Sequence, residues 1–263
     1  VALEALSAGA VAVLGKPRLG LKQYLDDSRR EMIQTLKVAA RAKPRARPGA
    51  SDTLGAKPVS VRAPVLGSVH ALAMNKPVVI GSSTGGTQAL ELVLTSLPSD
   101  APGIAITQHM PEKFTAMYAK RLDGLCAMRV REAKDGDRLE RGLVLIAPGG
   151  LHMQLRKSAG QYFVHVVDGP PVNRHKPSVD VLFRSASECA GSDALGIILT
   201  GMGDDGARGM KVMHDGGART IAQNEETCVV FGMPKEAIKQ QAVDAVLPLD
   251  QVARAIMQFD SRA

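Results

Sequence analysis

The chain has 263 residues, 45% of them hydrophobic and 22% charged, an ordinary globular composition that excludes disorder throughout. No run approaches the roughly twenty uninterrupted apolar residues of a membrane span, and Val1 follows no basic and apolar leader, so the chain reads as a soluble piece of something longer. The net charge of +7 suggests nucleic acid until it is located: between Lys37 and Arg62 seven basic residues stand against Asp52 alone, so this stretch carries six of the seven charges and the remainder offers no basic surface.

The first 38 residues open with a helical pattern that breaks at Gly9. A short apolar strand follows, Val11 to Leu14, ending at Lys16 and Pro17. Apolar residues at spacings of three and four (Leu21, Tyr24, Leu25, Met32, Ile33, Leu36) then predict an amphipathic helix over Leu21 to Val38. Two helices and one strand cannot bury a core alone, so residues 1–38 read as the end of an α/β domain. Ala40 to Gly67 is dense in Pro, Gly, Ala and Ser without apolar periodicity, which makes residues 39–75 a basic, Pro/Ala-rich linker.

Residues 76–260 alternate strand and helix signals. The expected strands are Val78 to Gly81, Ile104 to Gln108, Gly142 to Ala147, Leu195 to Thr200, Thr220 to Ala222 and Ala245 to Leu247. The expected helices are Thr87 to Leu97, Lys113 to Leu122, Val179 to Cys189, Ala207 to His214, Pro234 to Gln241 and Gln251 to Phe259. This alternation predicts an α/β fold: a doubly wound, mostly parallel sheet with helices on both faces. Leu151 to Arg156 and Tyr162 to Val167, flanking KSAG, predict an inserted antiparallel hairpin. In such a sheet, chemistry collects beyond the carboxyl ends of the strands.

Three strand ends carry reactive side chains. The first runs into Gly81-Ser82-Ser83-Thr84-Gly85-Gly86, a GxSxG turn that raises a serine hydroxyl above the sheet, with the Thr84 amide placed to hold an oxyanion. The same turn also fits a plain helix cap; a phosphate cradle is a poorer fit, because the lysine of GxxxxGK[ST] is absent. The second ends at Gln108-His109-Met110-Pro111. His109 is singled out from six histidines by its position, with His175 in PPVNRHKPS as the nearest competitor or as a groove-lining residue. The Leu195 strand ends in Gly201-Met202-Gly203-Asp204-Asp205-Gly206, a formal GxGxxG match with Glu225 some way beyond. Two carboxylates at that helix start would repel a pyrophosphate, whereas Asp205 suits the acid of a Ser83, His109, Asp205 triad. Three cysteines, far apart and never spaced as CxxC, suit a reducing compartment and give no zinc site.

VVIGSSTGGTQAL, ITQHMPEKFT, PPVNRHKPSVDVLF, ILTGMGDDGARGM and TIAQNEETCVVFGMPKEAI together resemble the protein-glutamate methylesterases of bacterial chemotaxis, across essentially all of residues 76–255. The resemblance implies a cytoplasmic response regulator that demethylates glutamyl methyl esters of chemotaxis receptors, releasing methanol, and often deamidates receptor glutamines. It places the nucleophile on Ser83, the base on His109 and the acid on Asp205, with Met202 and Thr84 in the oxyanion surroundings. It implies no metal, no organic cofactor, no nucleic acid and no membrane insertion. Arg174, Lys176 and Arg208 are the expected contacts to an acidic receptor surface. Asp204 departs from the family pattern, which commonly has Asn there. Residues 1–38 resemble the last part of a receiver domain, with Lys16 at the family's phosphoryl-contacting lysine. The phosphoacceptor would lie upstream, so the chain as given would not be phosphorylated by the chemotaxis histidine kinase. A dinucleotide-binding oxidoreductase and a non-catalytic receptor-binding module are the rival readings.

Overall fold

The computed structural model describes residues 76–261 together with four helical positions, Ile33, Leu36, Ala39 and Ala40. Ala39 and Ala40, the first two positions of the expected linker, are helical; the expected strand at Val11 to Leu14, Lys16, most of the helix over Leu21 to Val38, and the linker from residue 41 to residue 75 lie outside the described residues.

Seven strands form one parallel sheet in the order β10-β9-β8-β1-β2-β5-β3. They are β1 (Val78–Ser82), β2 (Ile104–Gln108), β3 (Arg129–Glu132), β5 (Leu143–Ile146), β8 (Leu195–Ile198), β9 (Arg219–Gln223) and β10 (Ala245–Leu247). The central strands are apolar runs because both sheet faces are covered, the condition under which parallel sheets occur. Alternate residues divide between two cores. Val78, Ile80, Ile104 and Ile106 face helices α1 (Gly86–Thr95), α2 (Glu112–Asp123) and α6 (Leu249–Asp260). Val79, Ala105, Leu145 and Ile198 face α3 (Val179–Ala190), α4 (Ala207–Asp215) and α5 (Met233–Lys239).

The predicted hairpin is part of a three-stranded antiparallel sheet, β4-β7-β6, formed by β4 (Arg138–Leu139), β6 (His152–Ser158) and β7 (Gln161–Val167). Its turn is Ala159-Gly160 rather than all of KSAG; both residues have positive φ (48° and 75°), as a tight primed turn requires. Met153, Leu155, Tyr162 and Val164 pack it onto the second core.

Connectivity leaves β1 in one direction, to β2 and then β5 and β3, and returns to its other side through β8, β9 and β10. The chain therefore reverses its winding at β1, and the carboxyl ends of β2, β1 and β8 lie side by side at a topological switch point.

Candidate active site

The Ser83 turn is held from both neighbouring strands. Ser83 N–H donates to Thr200 O (3.0 Å), extending the β1–β8 ladder, and His109 N–H donates to Ser82 O (3.1 Å), extending β1–β2. Ser83 and His109 therefore stand at matched positions, each one residue past the paired Ser82 and Gln108 of adjacent strands. Buried Gln108 links them: its Nε2 donates to Ser83 O (2.9 Å) and His109 O (3.0 Å), and its Oε1 accepts from Ser82 Oγ (2.7 Å). A tertiary reason for the glycines follows. Gly85 has φ +80°, and a Cβ there would lie 2.6 Å from Val229 Cβ; a Cβ on Gly86 would overlap Gln108 Oε1. Among the described residues, no hydrogen bond joins the Ser83 hydroxyl to another side chain, and none uses the amide N–H of Thr84 or Met202. Those two donors flank the serine at the start of α1 and in the loop after β8, where Gly201 N–H is tied to Val230 O (3.0 Å).

His109 and Asp205 meet. The imidazole Nε2 lies 2.8 Å from Asp205 Oδ2, with side-chain exposures of 9% and 0%. Burial works against ionisation of Asp205, but the hydrogen bond and charge of His109, with the Asn173 and Ser178 bonds, outweigh it and hold the carboxyl well below the usual range. An ionised carboxylate only accepts, so Nε2 carries the proton and donates. That leaves Nδ1 as the basic nitrogen, and it is buried with no hydrogen-bond partner. The tautomer follows from the acid's charge state.

Asp205 is fixed by more than His109. It accepts from Asn173 Nδ2 (2.8 Å), Ser178 Oγ (2.7 Å) and the N–H groups of Val179 (2.7 Å) and Asp180 (3.3 Å). The last two belong to the first turn of α3, whose unpaired amides favour a carboxylate. Buried Asp180 repeats the motif, accepting from Asn173 Nδ2 (2.7 Å) and Gly209 N–H. His152, one of the remaining histidines, is a structural member: Ser178 N–H donates to its Nδ1 (3.2 Å) and its Nε2 donates to Pro170 O (3.0 Å). Asn173, Ser178 and Asp180 carry no role expected from the sequence, although all three lie in PVNRHKPSVD beside His175, Arg174 and Lys176, for which roles are expected.

The remaining expected residues have separate fates. Asp204 is 42% exposed, lies 3.6 Å from Arg208 and is not the carboxylate bonded to His109. Lys176 Nζ donates to Asp168 (2.6 Å) and Gly169 O (3.1 Å). Arg174 is exposed and makes no ion pair among the described residues. No group of three or more His, Cys, Asp or Glu able to hold a metal occurs among the described residues, and no described helix is long and apolar enough to cross a membrane.

Residues 78–256 match the family described as CheB methylesterase. A protein-glutamate methylesterase/protein-glutamine glutaminase of Dechloromonas aromatica is 58% identical over 260 residues, covering 97% of this chain and 72% of that protein. One of Chromobacterium violaceum is 54% identical, covering 97% and 74%. The Thermotoga maritima CheB methylesterase catalytic domain superposes with a TM-score of 0.68 at 39% identity, covering 70% of this chain and 98% of that one.

Proposed function

The chain belongs to the CheB methylesterase family, and we propose that its Ser83, His109 and Asp205 are the nucleophile, base and orienting acid of a serine hydrolase. Its reaction is hydrolysis of glutamyl methyl esters on chemotaxis receptors, with release of methanol, and deamidation of receptor glutamines. The single observation that carries the assignment is the polarity of His109: Nε2 is committed to an ionised Asp205, and Nδ1 is left basic and unpartnered beside the serine turn.

From that arrangement the steps follow. Nδ1 accepts the Ser83 proton as Oγ attacks the side-chain carbonyl, and Asp205 stabilises the imidazolium that forms. The Thr84 and Met202 amides hold the tetrahedral oxyanion, a contribution worth about 100- to 1000-fold in rate per donor at comparable sites. The imidazolium then protonates the leaving methoxide, released as methanol, or in deamidation the leaving amide nitrogen, released as ammonia, and water repeats the cycle on the acyl-enzyme. No step draws on a cofactor. Of the three cations, Arg174 is the best substrate contact because it has no acidic partner to give up.

Residues 1–38 are the carboxyl-terminal part of a receiver domain, residues 39–75 its linker, and residues 76–260 the catalytic domain, in a cytoplasmic protein addressed by the chemotaxis histidine kinase. The D. aromatica relative matches 97% of the chain, so the likeness extends beyond residues 78–256.

The test is methanol release from methyl-labelled receptor by the chain and by Ser83→Ala. The variant keeps the far-ultraviolet circular dichroism of the parent and loses turnover; retained turnover removes Ser83 from the mechanism.

A further inference from the structure

Asp205 grips His109 at a single ring atom. One hydrogen bond leaves the imidazole free to rock about the Nε2···Oδ2 line, and such rocking would swing Nδ1 away from the serine turn. A second contact removes that freedom. The His175 ring lies flat on His109, with ring centroids 3.8 Å apart and planes 10° from parallel. At that separation the rings are in van der Waals contact, so tilting either edge of His109 towards its neighbour meets repulsion.

His175 is itself held with unusual effort. It closes a tight turn with Val172 through two backbone bonds, His175 N–H to Val172 O (2.9 Å) and Val172 N–H to His175 O (3.1 Å). The two residues between, Asn173 and Arg174, both have positive φ (51° and 69°) without being glycine. Asparagine tolerates such a conformation, but it strains a residue such as Arg174 and persists there only where surrounding contacts impose it. Here the Asn173 amide imposes it, with its two N–H groups bound to buried Asp180 and Asp205. One turn thus reaches both the acid, through Asn173, and the base, through His175.

We propose that His175 is a positioning residue for the hydrolytic reaction: its ring clamps the plane of His109 so that Nδ1 stays directed at Ser83. Burial, and next the proximity of His109, lowers the pKa of His175 to about 4. The clamp is therefore uncharged at neutral pH, and does not oppose the positive charge His109 takes on during the reaction. The charged groups nearest to it are Asp205, Arg174 and Asp204. The inference rests on His109 being the base.

The experiment compares His175→Ala with His175→Phe, which keeps a flat ring, in the full chain with methylated receptor. In the alanine variant kcat falls by about 10- to 100-fold, the scale on which misplaced catalytic groups lose rate, while KM is little changed. The phenylalanine variant recovers most of kcat. Parental kcat in His175→Ala overturns the inference, as does a His175→Phe as slow as His175→Ala. Should both variants fail to fold, nuclear magnetic resonance of the parent decides. Ring-current shifts of the His109 carbon-bound protons to high field support the clamp, and their absence overturns it. An active Ser83→Ala would instead sink the underlying assignment, so the two failures are distinguishable.

Discussion

Two histidine–aspartate pairs lie at opposite ends of one sheet, and they share little beyond their residue types. At the carboxyl end, His109 and Asp205 are 2.8 Å apart and almost wholly buried. At the amino end, His214 Nε2 and Asp244 Oδ1 are 3.4 Å apart, 34% and 39% exposed, in an open cleft shared with Lys76, Arg219 and Phe259. His214 divides its attention, with Nδ1 3.4 Å from Asp215. The first carboxylate collects donors from His109, Asn173, Ser178, Val179 and Asp180; the second accepts from the N–H and hydroxyl of Thr220. Burial and saturation with donors, not residue identity, make a pair that can fix a tautomer.

The sharpest way to break that comparison is to neutralise each pair. Asp205→Asn offers an amide where Nε2 donates, favours the wrong tautomer and is expected to reduce kcat by about four orders of magnitude, the loss seen when a triad aspartate is so changed. His214→Ala changes stability by less than about 1 kcal/mol, as exposed ion pairs do, and leaves turnover at the parental level. Steady-state kinetics and thermal melting read both. A His214→Ala variant as inactive as Asp205→Asn would mean that burial is not what separates the pairs.

A second contrast lies within the loop after β8. A Cβ on Gly201 would overlap Met233 Sδ and lie 2.8 Å from Ser83 Cβ, whereas one on Gly203 meets nothing within 4 Å. Gly201→Ala therefore displaces the nucleophile, and a shift of about 1 Å in such a group costs about 100-fold in rate. Gly203 has φ +90°, so Gly203→Ala destabilises by roughly 1–2 kcal/mol through backbone strain and spares kcat. Equal kinetic losses in the two variants would show that the loop acts as a unit.

The sequence exposes the frame and hides the supports. β1 opens Val-Val-Ile and runs into Gly-Ser, β2 opens Ile-Ala-Ile and runs into Thr-Gln just before His109, and these apolar starts and their punctuation are visible without a partner. β3 (RVRE) is an edge strand with alternate residues exposed, and β4 is two residues long; neither carries a hydrophobic run, so neither is visible before its neighbour is known. The same division holds at the site. Ser83, His109 and Asp205 announce themselves by standing at strand ends. Asn173, Ser178 and Asp180 act through contacts that arise only when the loop before α3 folds onto β8, and Gln108 looks like a strand residue until its amide is seen bridging two turns. Which imidazole nitrogen faces the acid is likewise set by tertiary approach, here Nε2.

Acid titration separates two members of the site. The pKa of His175 is lowered in the folded state to about 4 from an ordinary value of about 6.5, so the unfolded chain binds more protons between those values. Stability therefore falls as pH drops through that window, and His175→Phe flattens the slope there. Asp205 has the opposite origin and a lower window: its folded pKa is depressed, so its contribution is complete above about 3.9 and is lost only as pH falls further. The stability penalty of Asp205→Asn should consequently shrink from pH 7 to pH 3. Urea unfolding at pH 7, 5 and 3 measures both, and a slope unchanged by His175→Phe between pH 6.5 and 4 would show that the ring is not buried as a neutral group.

The smallest effect is expected at Asp204, although it adjoins Asp205 in the chain. Its carboxylate is 42% exposed, reaches Arg208 at 3.6 Å across one helical turn and makes no contact with His109. Solvent screens a charge so placed, and an (i, i+4) pair of this kind is worth about 0.3–0.5 kcal/mol. Asp204→Asn should then change kcat by less than about threefold, the rate equivalent of that energy, with the effect shrinking further in added salt. A large loss that salt does not relieve would mean that the carboxylate acts on His109 directly, and the distinction drawn between the buried pair and its exposed neighbours would fail at the one position where the two lie side by side.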